Sequence, residues 1–331
     1  MIRMFNLAAV VLSFMPGLPA FAADFEFESI RKIWDKAPHN AFTDLIRHDG
    51  RWLCVFREGK GHVSPDGKLR VIASREGESW VSLALLSSDV GDLRDAKITL
   101  RPDGQLLLMG AVAYHDRLKR SHQSLAWTSK DGQNWSAAIP IGDEDYWLWR
   151  VTWHGKQAIS FGYPCGKAAI ADRNLRLYGT RDGEKFDALS WSITADGQPN
   201  ETAIAFEPDG TARCLLRRES GTKSGWIGTA KAPYTEWTWK DLKQRIGGPQ
   251  MIRAPDGRWL AVVRLHEPHV HTALIQIDPD HGEMKKLLNF PSGGDCSYAG
   301  MVWHDNRLHV SYYSTHDGKT AIYRAVLKSR S

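Results

Sequence analysis

The chain has 331 residues, 43 of them Lys or Arg and 38 Asp or Glu, for a formal charge of +5. That length suits one large domain, and so mild a positive balance without basic runs argues against a nucleic-acid-binding surface. Four cysteines with no CxxC pair, and no His/Cys cluster at zinc spacing, argue against a metal site, and no cofactor is expected.

The N-terminus opens with Arg3, an apolar stretch from Phe5 to Leu18, and Pro19-Ala20-Phe21-Ala22-Ala23. A basic start, an apolar stretch too short to span a bilayer comfortably and a small-residue site make residues 1–22 a secretory signal peptide. The mature chain, 23–331, is then a secreted or periplasmic monomer of one domain with no membrane span.

From there one phrase recurs six times: a hydrophobic run, a tight polar turn, a second hydrophobic run. The turns are His48-Asp49-Gly50-Arg51, Pro102-Asp103-Gly104-Gln105, Trp153-His154-Gly155-Lys156, Pro208-Asp209-Gly210-Thr211, Pro255-Asp256-Gly257-Arg258 and Trp303-His304-Asp305-Asn306. A hairpin signal repeating at a period of roughly fifty residues predicts an all-β fold, a six-bladed β-propeller of four-stranded antiparallel blades. Apolar runs of only about four to eight residues, broken by Gly, Pro and Asp, exclude a helical alternative.

A second signature follows the third strand of three units: Ser74-x-Glu76-Gly77-x-x-Trp80, Ser129-x-Asp131-Gly132-x-x-Trp135 and Thr180-x-Asp182-Gly183-x-x-Phe186. The hydroxyl and the acid can bond the turn's own backbone, Gly supplies the positive φ, and the aromatic closes over the hairpin, so these read as structural staples. Cys54 and Cys214 fall in blades one and four, Cys165 and Cys296 in blades three and six. Blades three apart face each other across the axis, beyond the roughly 7 Å that a disulfide allows between Cα atoms, so free and mostly buried thiols are expected.

In such a fold the start of each first strand and the end of each second strand share one face around the axis. Charges there are costly unless paired or liganded. That face collects His39, Asn40, Arg57, Glu58, His62 and Asp66 from blade one. Blade two adds Asp92, Arg94, Asp95, Tyr114 and His115, and blade three Trp147, Trp149, Arg150 and Tyr163. Blade four supplies Asn200, Glu201, Arg217 and Arg218, blade five Gln250, Arg264, His266 and His269, and blade six Asp295, Ser297, Tyr298, Tyr312 and Tyr313. Arginines for a carboxylate and aromatics for ring faces suit an acidic glycan.

These residues resemble the sialidase (neuraminidase) superfamily. The Ser/Thr-x-Asp/Glu-Gly-x-x-Trp/Phe turns look like its Asp boxes. Pro199-Asn200-Glu201 with Leu215-Leu216-Arg217 looks like the segment of its catalytic glutamate and a triad arginine, and Ser297-Tyr298-Ala299-Gly300 like that of its tyrosine nucleophile. The resemblance implies a retaining exo-glycosidase for sialic acid or a related acidic sugar. In it Tyr298 attacks the anomeric carbon, Glu201 takes the phenol proton, and Arg217 holds the substrate carboxylate. A phenol titrates near about 10, so it needs such a base at neutral pH. Arg264, or else His271, fills the third arginine position. Blade one departs from the family: His39-Asn40-Ala41-Phe42 stands where the first triad arginine is expected, and Arg57, Arg94 or Arg150 could replace it. The loop after Phe56-Arg57-Glu58-Gly59 offers Asp66 or His62 as the acid/base. His39, Asp95, Tyr163 and Gln250 complete the expected substrate contacts.

Two alternatives remain open. Five histidines on the same face (His39, His62, His115, His266 and His269) would suit a lyase or hydrolase of uronic-acid glycans. A propeller that binds glycans without catalysis would keep the aromatics and arginines but need no Glu201–Tyr298 contact.

Overall fold

The computed structural model describes residues 24–194 and 196–330, so the expected leader lies outside the described residues. Apart from one short helix, Ala168–Ala171, the elements are strands paired antiparallel with their sequence neighbours. No described helix is long and apolar enough to cross a membrane. The long strand Thr238–Arg253 pairs on one side through residues 238–245 and on the other through residues 246–253, so it ends one sheet and begins the next. Divided there, the described strands form six antiparallel sheets, five of four strands and one of five whose innermost strand is in two pieces. The ring closes by a device the repeat did not disclose. Phe25–Trp34, ahead of the first repeat, pairs with Ala321–Ser329 as the outer strand of the last blade. The first and last strands of the domain thus hold each other, leaving no open seam.

The six turns share a phrase but not a geometry. Asp49-Gly50 and Asp305-Asn306 both have φ between 46° and 69° and make two-residue turns matched to the strand twist. The three Pro-Asp-Gly copies close wider loops, where Arg101, Glu207 and Ala254 each donate their N–H to the carbonyl four residues on, at 2.8 Å. Proline fixes φ early in the loop, and Gly104, Gly210 and Gly257 take the left-handed position. The three rim turns repeat one arrangement: the hydroxyls of Ser74, Ser129 and Thr180 accept the glycine N–H three residues on, at 2.8–2.9 Å. All four cysteines are free, and only Cys165 is not fully buried.

The feature that positions the site is an interruption of the innermost strand, a bulge in five blades and a break in the sixth. Pairing with the second strand shifts by one extra residue between Ala41 and Asp44, Arg94 and Lys97, Pro199 and Thr202, Gly247 and Gln250, and Ser297 and Gly300. In blade three the innermost strand breaks at the same place, into Tyr146–Leu148 and Thr152–His154, so Trp149 and Arg150 lie between two pieces rather than in one strand. A bulge bends its strand and re-aims a side chain. Five bulges and one break at equivalent places in the blades carry Phe42, Asp95, Trp149, Glu201, Gly248 and Tyr298.

Candidate active site

The residues just past the bulges tie the blades together. Thr43 Oγ1 donates to the Tyr298 carbonyl at 2.9 Å, Asp44 accepts the Ile98 N–H at 3.0 Å, and the Arg150 guanidinium bonds Asp44 and the Ala299 carbonyl, both at 2.8 Å. This belt plugs the axis. On its far side lies a cavity lined by Lys97, Arg150, Gln250, Met251 and Met301 but by neither Glu201 nor Tyr298. Arg150 and Gln250, expected as substrate contacts, therefore line that cavity and not the surroundings of Glu201 and Tyr298.

On the near side Tyr298 Oη donates to Glu201 Oε1 at 2.6 Å. Arg217 Nη1 reaches the same Oε1 at 2.6 Å and the Tyr298 hydroxyl at 2.9 Å, and the Gly248 N–H donates to Glu201 Oε2 at 2.9 Å. Burial by itself would raise the Glu201 carboxyl, but the Arg217 charge and the three hydrogen bonds outweigh it and hold the group below the usual carboxylate range. Burial and then the Glu201 charge push the Tyr298 phenol well above its ordinary value, against the pull of Arg217 and Arg264. The resting pair is a carboxylate beside a neutral phenol. Arg217 is anchored in turn by Glu219.

A second cluster flanks the tyrosine. Arg264 lies over the Tyr298 ring at 5.1 Å and bonds Tyr313 Oη at 3.1 Å, Asp295 Oδ1 at 3.3 Å and the Cys296 carbonyl. Asp295 Oδ1 also accepts from Tyr313 at 2.7 Å, while its Oδ2 meets His62 Nδ1 at 2.6 Å and His39 Nε2 at 3.1 Å. Burial opposes ionisation of Asp295, yet the bonds from His39, His62 and Tyr313 hold its carboxyl far below the usual range. The ligand atoms of His39, His62 and Asp295 lie close enough to hold a cation, a cluster the sequence spacing did not reveal.

Of the expected residues, Glu201, Arg217, Tyr298, Arg264, His39 and His62 come together here. Asp95 stands beside them, and its carboxyl is pushed up to about 6, chiefly by burial and then by Glu201, against Lys97. Tyr163 stacks on Trp147 and leans on Trp149. The others do not join. Arg57 is fully buried, its donors spent on Asp92 and on Gly61 and Ser64 of the following loop, so it anchors that loop and presents nothing to a ligand. Arg94 turns to Asp92 and lines a surface groove with Tyr114 and His115. Asp66 accepts the Lys60 N–H within its own loop. His271, the alternative to Arg264, bonds the His269 carbonyl, while His269 is exposed and His115 bonds the Pro65 carbonyl.

Phe42 is the residue that sequence reasoning passed over. Its ring meets Tyr298 edge-on at 5.1 Å, Tyr313 at 5.3 Å and His62 at 5.0 Å, and Trp149 also meets Tyr298 edge-on at 5.8 Å. An apolar wall thus occupies the blade-one position where an arginine was sought. Asp295 was noted only as one polar residue on this face, with nothing in its spacing to mark it as the hub for four side chains.

No protein-family model and no curated protein sequence matches the chain. Solved structures do. A protein of unknown function from Dyadobacter fermentans superposes with a TM-score of 0.81 at 17% identity, over 93% of this chain and 100% of its own. The GH93 α-L-arabinofuranosidase of Fusarium graminearum, in complex with arabinobiose, gives 0.71 at 14% identity over 91% and 97%. The NanB sialidase of Streptococcus pneumoniae gives 0.68 at 11% identity over 91% and 70%. The chain has the β-propeller fold. At these identities the likeness is one of fold, and two of the three neighbours are glycosidases by name.

Proposed function

We propose that the chain is an exported, monomeric exo-glycosidase that releases a terminal acidic sugar, sialic acid or a relative, through a tyrosyl-glycoside intermediate. The observation that carries this reading is the buried Tyr298–Glu201 bond of 2.6 Å with Arg217 bridging both groups. A neutral phenol approaches an anionic substrate without repulsion, and the adjacent carboxylate accepts its proton as the bond to carbon forms. Arg217 keeps that carboxylate ionised before the step and stabilises the phenolate character that develops during it. Arg217 and Arg264, on two sides of Tyr298, are the cations available to a substrate carboxylate. The basic, then apolar character of residues 1–22 supports export.

The apolar Phe42 favours a second reading. With two arginines in place of three, the pocket also suits a neutral furanoside, the sugar class in the name of the arabinofuranosidase neighbour.

Release of 4-methylumbelliferone from α-sialoside, α-L-arabinofuranoside and uronide substrates separates the readings. Hydrolysis of the sialoside, reduced on the order of 10³-fold or more in Tyr298→Phe and Glu201→Gln, is the expected result. Full activity in Tyr298→Phe overturns the mechanism, hydrolysis of the arabinofuranoside alone moves the substrate class, and a new ultraviolet absorbance from an unsaturated uronate replaces hydrolysis with elimination.

A further inference from the structure

We infer that Asp95 is the general acid/base of this site, the group that protonates the departing glycosidic oxygen and later activates water. The inference rests on the glycosidase reading above and supplies the proton donor that Tyr298 and Glu201 leave unassigned.

The argument begins with backbone equivalence. Phe42, Asp95 and Tyr298 each stand first in the bulge of their innermost strand, and each has a positive φ, of 62°, 54° and 51°. Such a conformation is uncommon for aromatic side chains like Phe42 and Tyr298 and is retained where surrounding structure demands it, whereas aspartate adopts it more readily. Phe42 and Tyr298 project from it into the site, with rings 5.1 Å apart. Blade two follows blade one around the ring, so the same backbone turn directs Asp95 into the same space. The outcome is an alternation around the axis: Asp95, Glu201 and Tyr298 come from blades two, four and six, and Phe42, Trp149 and Gly248 from the blades between.

The second argument is the absence of partners. None of the described side chains hydrogen-bonds the Asp95 carboxyl, although its neighbour Arg94 is engaged by Asp92. The charged and titratable groups around it are Lys97 and Arg94 on its own strand, Arg57 of blade one, Tyr163 of blade three and Glu201 of blade four. Burial and Glu201 favour the protonated form, and the three cations do not fully offset them. The two carboxyl groups of the site are thereby driven apart, Glu201 ionised and Asp95 protonated into the mildly acidic range, the division of labour that acid–base glycosidases need. The expected alternatives sit less well: Asp66 is bound within its own loop, and His62 is half-exposed and bound to Asp295.

In the first step the Tyr298 oxygen bonds the anomeric carbon and its proton passes to Glu201. The glycosidic C–O bond breaks with its electron pair on the leaving oxygen, which takes the Asp95 proton. In the second step water attacks the same carbon and gives a proton to the Asp95 carboxylate, and the tyrosyl C–O bond breaks while Glu201 returns the proton to Tyr298.

The test compares Asp95→Asn with the unaltered chain on a saccharide-linked sugar and on its 4-methylumbelliferyl glycoside, and adds azide to Asp95→Ala. The proposal requires a loss of about 10³-fold in kcat/KM on the saccharide linkage and a clearly smaller loss in the bond-breaking step with the activated leaving group. It also requires disappearance of the fall in activity as pH rises through the Asp95 titration, and azide rescue with formation of the glycosyl azide. Equal losses on both substrates without rescue, or transfer of the leaving-group dependence to His62→Gln, overturn Asp95 as the acid. The glycosidase reading then survives if Tyr298→Phe is inactive. No turnover of any substrate by the unaltered chain would remove both.

Discussion

Gly248 stands where no side chain can coexist with the present position of Tyr298. A Cβ at residue 248 would lie 2.8 Å from Cδ2 of the tyrosine ring, and the Gly248 N–H donates to Glu201. One glycine therefore makes room for the Tyr298 ring and orients the Glu201 carboxylate.

Gly248→Ala should disable the site without unfolding the chain. The residue has φ of 53°, so alanine costs about 1–2 kcal/mol of backbone strain, a tolerable loss for a domain of this size. Displacing the ring by a fraction of an ångström should lower kcat on the order of 10²-fold. Steady-state kinetics beside thermal unfolding would check this, and unchanged kcat would show that Tyr298 does not need its present position.

Asp92→Ala should be among the most destabilising substitutions at the contact of blades one and two. It leaves the Arg57 guanidinium buried without its counter-charge, at a cost of about 3–5 kcal/mol. Because Arg57 also holds the carbonyls of Gly61 and Ser64, the loop that brings His62 to Asp295 should loosen too. Urea unfolding should show a lower midpoint, and a loss below about 1 kcal/mol would contradict the anchoring role.

Stability should fall with acidification because of His309. Its Nδ1 accepts from Arg324 at 2.6 Å, which only a neutral imidazole can do, and its ring packs on Trp52. Burial and the Arg324 charge lower its titration to about 4. Between that value and about 6.5 the unfolded chain binds the extra proton. The contribution is complete above the upper limit and is lost as pH falls through the window, on the order of 3 kcal/mol in full. Chemical denaturation across this range should show the slope, and His309→Gln should flatten it.

Thiol titration should report the propeller core. Cys54, Cys214 and Cys296 are buried, and burial raises the Cys165 thiol to about 12. A thiol-reactive dye at pH 8 should label at most Cys165, and slowly, with all four reacting after denaturation. Fast labelling of more than one thiol in the native chain would contradict the packing.

The propeller was legible because its signal is repeated six times over: each blade needs a hairpin turn, and turn residues are written in the local sequence. The Glu201–Tyr298 pair was legible through resemblance, since both side chains sit in segments with distinctive neighbours. The bulges were not. One extra residue in a ladder changes no composition, and Phe42, Asp95 and Tyr298 adopt positive φ without being glycine or asparagine. Their consequence, that Arg150 and Gln250 fall on one side of the belt and Tyr298 on the other, was invisible for the same reason. Arg57 illustrates a further limit: its place in the strand order suggested a ligand contact, but Asp92 of the next blade had already claimed it.

The most direct test of the central claim is covalent trapping. A fluorinated glycosyl fluoride of the sugar that the chain hydrolyses forms its intermediate quickly and releases it slowly. Peptide mass mapping after exposure should then find the sugar attached to Tyr298, with no adduct in Tyr298→Phe. An adduct on another residue, Glu201 above all, or steady turnover with no adduct, would contradict tyrosine as the nucleophile.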